Sequence, residues 1–153
     1  MQSCPMHKQH MDETSQHQAD LEEHGDEAMG FGHDKTVHHF RLYSDGGAIE
    51  VTVKDTTDSQ NVQAIQSHLA HIAVMFSNGD FSIPMFVHDQ TLPGVPAMKE
   101  GRAEISYIFE PLATGGRVRI KTANPGALKA THDFLRFQIE DHHTGDTTDI
   151  GTM

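Results

Sequence analysis

Two histidines and a methionine lie at helical spacing in the segment NVQAIQSHLAHIAVMF, and side chains of these types bind transition metals. His68, His71 and Met75 fall at positions i, i+3 and i+7, on the helix side next to the apolar stripe that should face the core. Imidazole suits zinc, copper, nickel and iron, whereas a thioether adds affinity mainly for copper, especially Cu(I), or for haem iron. We predict a metal or haem site here. The alternative is a half-buried helix edge whose imidazoles bond to nearby carbonyl or carboxylate groups.

Two imidazoles on one helix cannot fill a coordination sphere, so other elements must supply the remaining ligands. The predicted completing ligands are His88, with Met85, in the loop after the helix, and His39 or His38 at the start of the first strand. Because side chains alternate along a strand, one of His38 and His39 can face the helices. Three further candidates lie on the second predicted helix: His132, His142 and His143. The competing explanation for His38 and His39 is an ordinary strand start. For His142 and His143 it is a favourable positive charge at a helix C-terminus.

A second group of soft ligands stands near the start of the chain, where Cys4, Met6 and His7 belong to the run CPMH and are followed by His10 and Met11. This run resembles the CPMH core of the heavy-metal-binding stretches of bacterial copper and silver resistance and efflux proteins. The resemblance covers about eight residues and implies capture or transfer of a soft metal by Cys4, Met6 and His7. It also implies a periplasmic or extracytoplasmic location. The alternative is a tail whose histidines have no function.

Charge and composition separate residues 1–34 from the rest of the chain. This stretch holds one Lys against eight carboxylates and has almost no aromatic or β-branched side chains, which predicts a mobile acidic tail rich in His and Met. The whole chain of 153 residues carries a net charge of −11, which excludes nucleic acid as an expected partner. Residues 35–153 have the length of a single domain. Cys4 is the one cysteine, so no internal disulfide and no multi-cysteine zinc site can form.

Enzyme signatures are absent from the sequence. It contains neither G-x-S-x-G nor a phosphate-binding glycine motif, and the lack of C-x-x-C-H excludes covalently attached c-type haem. The primary prediction is therefore a transition-metal-binding protein, with copper favoured, that acts in sequestration, delivery or resistance. Two alternatives stay open. One is a haem- or mononuclear-metal-dependent enzyme or redox protein that uses the first-helix histidines, with noncovalent haem on His71 or His88; the other is a metal-free dimeric scaffold.

The elements that must position these side chains repeat along the chain. HFRLYSDGGAIEVTVKD and ISYIFEPLATGGRVRIKT each predict a β-hairpin, and their glycine pairs are 69 positions apart. Apolar periodicity predicts a helix after each hairpin, at about 60–77 and 125–143. We therefore predict an α+β fold of duplicated β-hairpin-helix units (ββαββα), residues 36–80 and 104–146, with a four-stranded antiparallel sheet and two helices on one face. The second helix has Phe134 and Phe137 where the first has His68 and His71, which predicts one site per chain.

The connection between the two units, residues 81–103, contains three prolines and several apolar residues, which predicts a packed loop. Aromatic residues on the sheet face away from the helices would favour a homodimer through that face. No apolar run reaches the length of a membrane span, so none is expected.

Overall fold

A computed structural model describes residues 35–88, 92–142 and 144–151, and the predicted tail lies outside these residues. Two β-hairpins are each followed by a long helix, with two short helices and a 3-10 turn in between. The elements are β1 (Thr36–Tyr43), β2 (Gly46–Val53), α1 (Ser59–Ser77), α2 (Ser82–His88), α3 (Val95–Glu100), the turn Arg102–Glu104, β3 (Ile105–Leu112), β4 (Gly115–Thr122) and α4 (Pro125–His142). The sheet is antiparallel in the order β1-β2-β4-β3. The predicted α+β class with a four-stranded antiparallel sheet is confirmed.

Both long helices begin at a residue whose side chain caps the first turn. The Asp58 side chain accepts the backbone N–H of Asn61 at 3.2 Å, and the Asn124 side chain accepts that of Ala127 at 3.1 Å. At its C-terminus α1 ends before Gly79, which has a φ of 79°. Among the described residues, no helix combines the length and the apolar character needed to cross a membrane.

The segment between α1 and β3 packs into the core, as predicted, but it also forms two short helices that the sequence analysis did not predict. Asp80 starts α2 by accepting the N–H of Ser82 at 3.0 Å, and Gly94, at a φ of 81°, precedes α3. Four of its apolar side chains are fully buried: Phe81, Leu92, Val95 and Met98. Short helices were missed because seven and six residues are too few to show a periodic pattern.

One face of the sheet carries the apolar residues and meets both long helices. Phe40, Ile49, Val118 and Phe109 are paired in one row across all four strands, so their side chains share this face. Gly47 and Gly116 lie on it too, and a Cβ at these positions would meet Leu135 of α4 and Leu69 of α1 respectively. The two helices therefore cover the same face, as predicted.

Each long helix lies over the hairpin of the other half. Helix α1 packs mainly on β3 and β4, and α4 packs on β1 and β2. Gln66 of α1 donates from Nε2 to the carbonyl oxygens of Leu112 and Gly115, both at 3.1 Å, at the β3–β4 turn. His132 of α4 makes the matching bonds at the β1–β2 turn, where its Nε2 donates to two carbonyl oxygens at 2.8 and 3.0 Å. The halves thus hold each other together, while their origin in one duplicated unit stays a prediction.

The opposite face of the sheet is charged. Glu50 forms ion pairs with Arg41 at 3.0 Å and with Arg117 at 3.4 Å, and Arg117 also binds Glu110 at 2.6 Å. The aromatic side chains of β3 at 107 and 109 face the helices instead. Tyr43 of β1 does face away from the helices, with the guanidinium of Arg119 4.7 Å above its ring. The homodimer through this face stays a prediction.

The outer edge of β1 is covered by residues 144–151. Asp146 accepts the backbone N–H of Phe40 at 3.0 Å, and the N–H of Gly151 donates to the carbonyl of Leu42 at 2.8 Å. Gly151 also forms a parallel bridge with Tyr43. This segment thus occupies two of the hydrogen-bonding groups, at Phe40 and Leu42, that an edge strand would otherwise offer to another chain.

Candidate metal-binding residues

The predicted pair on α1 lies beside the helix stripe that faces the core. The stripe itself is buried and consists of Ile65, Leu69, Ile72 and Phe76. Next to it, His68 and Met75 are half-buried and His71 is exposed. The helical placement predicted for these three side chains is confirmed, so two imidazoles and a thioether do share one edge of α1.

Burial changes the acid–base chemistry of His68. Desolvation of the ring, with a smaller contribution from the nearby His71, lowers the pKa of His68 to about 4. At neutral pH this imidazole is therefore uncharged and keeps one nitrogen lone pair. Because a metal ligand must be the neutral imidazole, protons do not compete with a metal for His68 above about pH 5.

Two other predicted ligands have structural roles elsewhere. His39 lies on the charged face of the sheet, away from the helices, and its Nδ1 bonds to Asp146 at 2.8 Å. The structure therefore does not bring His39 together with His68 and His71. His132 is buried and uses its Nε2 at the β1–β2 turn.

Three other histidines meet where β1, α2 and the end of α4 come together. His38 faces the helix side, and its ring lies parallel to that of His142 with centroids 6.0 Å apart. The His142 ring also meets the edge of His88, with centroids 4.6 Å apart, and stacks on Phe40 at 5.6 Å. The structure thus assembles His38, His88 and His142, each of which the sequence analysis had considered as a partner for the α1 pair.

His88 is the most enclosed of these three side chains. It is 2% exposed, and both ring nitrogens contact acceptors of α4. Its Nδ1 bonds to a carboxylate oxygen of Asp141, and its Nε2 lies 2.8 Å from Oε1 of Gln138. The amide nitrogen of Gln138 is buried and has no hydrogen-bond partner among the described residues. His88 is therefore held by α4 rather than offered to the α1 pair.

Gln138 and Asp141 were not predicted as partners of a histidine. A signal was present, since Gln138 lies on the helical stripe that contains Phe134, Leu135 and Ile139, and a polar residue on an apolar stripe requires a partner. Its partner comes from α2, an element that the sequence did not predict. The contact with His88 could therefore not be derived.

Among residues 35–88, 92–142 and 144–151, no three His, Cys, Asp or Glu side chains are arranged as a ready metal site. Cys4, Met6 and His7, together with His143, lie outside these residues. The described part of the chain thus contains two groups of ligand-type side chains, on the edge of α1 and around His88.

The chain was compared with protein-family models, curated proteins and solved structures, and none of them matches it. Its function must be argued from its own side chains.

Proposed function

We propose that this protein binds a transition metal, with copper favoured, and acts in its sequestration, delivery or resistance. The observation that carries the proposal is the edge of α1, where His68 and His71 lie one turn apart with Met75 in the next turn. The pKa of about 4 at His68 supports it, because that imidazole is ready to bind a metal at neutral pH without first losing a proton.

The donor set favours copper. Two imidazoles alone would suit several divalent metals, but the thioether of Met75 adds affinity for Cu(I) in particular. Cys4, Met6 and His7 add a thiolate, a thioether and an imidazole, and their run resembles heavy-metal-binding stretches of copper and silver resistance proteins. An extracytoplasmic location belongs to the same proposal.

In this proposal the tail and the α1 edge complement each other. The α1 edge supplies two imidazoles at fixed separation, which leaves coordination positions open. The tail supplies soft donors that can complete the ion's coordination or pass the ion on. The charged remainder of residues 1–34 also raises the local concentration of cations, because eight carboxylates face one lysine.

The experiment uses the full-length chain without a histidine tag. Metal content is measured by mass spectrometry beside a visible spectrum, and Cu(I) affinity is measured against a competing chromophoric chelator. We expect about one copper ion per chain at the α1 edge and a tenfold or greater loss of affinity in His68→Ala/His71→Ala, since tenfold corresponds to about 1.4 kcal/mol. The matched control is Gln63→Ala/Val74→Ala, which changes two exposed residues of the same helix and should bind as the wild type does.

Other results would overturn the proposal in identifiable ways. A Soret band that disappears in His71→Ala would indicate haem. A bound ion that keeps an open position and supports turnover would indicate a metal-dependent enzyme. A colourless chain that takes up neither Cu(I) nor haem would leave the metal-free scaffold.

A further inference from the structure

The two outer edges of the sheet differ in how they are covered. At β1, the N–H of Phe40 and the C=O of Leu42 point outward and bond to Asp146 and Gly151 of the same chain. At β3, the opposite edge, no described residue bonds to the outward backbone groups from 107 to 111. The edge of β3 is therefore the place at which this sheet can accept a further strand.

The open groups of β3 follow from its pairing with β4. The hairpin loop has two residues, so Leu112 and Gly115 form a hydrogen-bonded pair, and from there every second residue of β3 bonds to β4. The residues in between, Tyr107 and Phe109, direct both their N–H and their C=O groups outward. The middle of the edge thus offers two donors and two acceptors.

The ends of this edge offer no further donor. Pro111 has no N–H, and the N–H of Ile105 already donates to the carbonyl oxygen of Arg102. The open N–H groups at 107 and 109 are therefore placed symmetrically about position 108. An antiparallel strand of the same sequence would set 107 opposite 109 at both ends of this centre, so that all four N–H groups of the two strands would find a carbonyl.

We propose that β3 pairs with β3 of a second copy of this chain, antiparallel and centred on Ile108. This side chain is 44% exposed, although most large apolar side chains of the described residues are buried. In the centred register it lies directly opposite the partner subunit's Ile108. The two form a non-hydrogen-bonded pair, in which opposing side chains approach most closely.

The charges along β3 are compatible with this register. Glu110 comes opposite Ser106 of the partner subunit rather than opposite another carboxylate, and it keeps its ion pair with Arg117 at 2.6 Å. The tail of the same chain is a poorer occupant of the edge, because residues 1–34 have almost no aromatic or β-branched side chains. The second copy therefore fits the edge better than the chain's own tail does.

This pairing produces a closed dimer. The two-fold axis uses the β3 edge of both copies, and residues 144–151 partly occupy the β1 edge that remains at each end. The dimer contains one continuous sheet with the four strands of each chain. It differs from a dimer through the charged face, which would bury the ion pairs of Glu50, and it requires no metal, so it does not depend on copper binding at α1.

The experiment uses the full-length chain with a chelator and a reductant present, so that neither a bridging metal nor a disulfide through Cys4 can join two chains. Sedimentation equilibrium should show a reversible dimer with twice the mass of one chain. Hydrogen exchange followed by NMR should show the amides of Tyr107 and Phe109 protected in the dimer and exchanging rapidly after dilution to the monomer. The amide of Phe40, which bonds to Asp146, is the control and should not depend on concentration.

Three results would overturn the proposal. The first is a monomer at every concentration. The second is a dimer in which the amides of Tyr107 and Phe109 exchange as fast as in the monomer, because another surface would then join the chains. The third is protection of both amides in the monomer, because a segment of the same chain would then occupy the edge.

Charge substitutions at position 108 test the register. Ile108→Lys and Ile108→Glu each remove the apolar contact and set like charges opposite one another, so each should raise the dissociation constant of the dimer about tenfold or more. Mixed in equal amounts, the two variants should form a heterodimer, because opposite charges then face each other. Ile150→Lys, at the other edge, replaces a side chain that is 50% exposed and should dimerise as the wild type does. Wild-type dimerisation of Ile108→Lys, or a mixture without heterodimer, would contradict pairing about Ile108.

Discussion

The two halves of the molecule agree in their hairpins and differ in their helices. Gly46 and Gly115 start equivalent strands, 69 positions apart, and each lies against a carbonyl of the neighbouring central strand. Helices α1 and α4 are offset by 66 positions, as Leu69 and Leu135 show by packing on equivalent glycines. At this offset the apolar Ile72 of α1 matches Gln138 of α4.

Apart from Gln66 and His132, which occupy equivalent positions, several polar residues of the two helices have no polar counterpart in the other half. On α1 they are His68 and His71, where α4 has the aromatic residues 134 and 137. On α4 they are Asp141 and His142, where α1 has Met75 and a phenylalanine that stacks on the next element at 4.3 Å. Because the two halves share one packing arrangement, positions at which the helices differ are candidates for a role in function rather than in packing.

The largest effect is expected where the halves agree most closely. A Cβ added at Gly115 would overlap with the carbonyl oxygen of Val51, and one at Gly46 with that of Ile120. Because both contacts are with backbone, we expect Gly46→Ala and Gly115→Ala each to lower the free energy of unfolding by about 3 kcal/mol or more. Urea denaturation at pH 7 measures this loss.

The control for these variants is Gly126→Ala, near the start of α4, where the nearest atom to a new Cβ is a side-chain oxygen at 3.3 Å. Its stability should change by no more than about 1 kcal/mol. A small effect of Gly115→Ala beside a large one of Gly46→Ala would show that the two hairpins are not equivalent.

Replacing His68 of α1 by Phe, the residue at the equivalent position of α4, should remove part of the pH dependence of the free energy of unfolding. The folded-state pKa of His68 is about 4, below its usual value of 6.5, so the unfolded chain binds the proton more readily. The contribution of His68 to the free energy of unfolding is fully present above pH 6.5 and is lost as the pH falls toward 4. At pH 4.5 the free energy of unfolding is therefore about 2 kcal/mol lower than at pH 7 because of this group.

His68→Phe should abolish that part of the acid destabilisation, because Phe does not titrate. The comparison is between urea denaturation of the variant and of the wild type at both pH values. An identical pH dependence in the two proteins would mean that His68 is not held neutral by burial.

A smaller effect is expected where each helix binds the opposite turn. His132→Ala leaves the carbonyl oxygens of Tyr43 and Gly46 without their donor, and because the bond to Gly46 is buried the change should cost about 1–3 kcal/mol. His132→Gln should recover part of this loss, because Gln66 performs the same role on α1. Thermal denaturation distinguishes the three proteins, and equal melting temperatures for the Ala and Gln variants would contradict the equivalence.

The smallest effect is expected for Gln66→Ala on the other helix. Its two bonds, to Leu112 and Gly115, are only partly buried, so water can replace the lost donor. We expect a loss of about 1 kcal/mol in the free energy of unfolding. A loss larger than that of His132→Ala would show that the bonds of Gln66 contribute more to stability than those of His132.

The sequence predicted the elements that repeat a simple pattern. The hairpins followed from the glycine pairs, and the two long helices followed from the apolar periodicity after each hairpin. The glycines were interpreted as turn residues, whereas Gly46 and Gly47 belong to β2 and allow the close approach of β4 and α4. That role depends on contacts between residues far apart in sequence, which periodicity does not contain.

The candidate site was predictable in part. The α1 edge followed from helical spacing, because His68, His71 and Met75 are neighbours within one element. The surroundings of His88 were not predictable, because they depend on the short helix α2 and on which helix it packs against. A histidine's partners are set by tertiary structure, and the sequence pattern had assigned His88 to the α1 pair.

The segment that runs beside β1 has a consequence for self-association. An edge strand with open N–H and C=O groups invites a strand from a second molecule, and sheets that grow in this way become insoluble fibrils. Asp146 and Gly151 occupy two of those groups, the N–H of Phe40 and the C=O of Leu42, in the half of β1 that ends at its turn. Because residues 144–151 of the same molecule bind to this edge, they hinder the addition of a strand from a second molecule to β1.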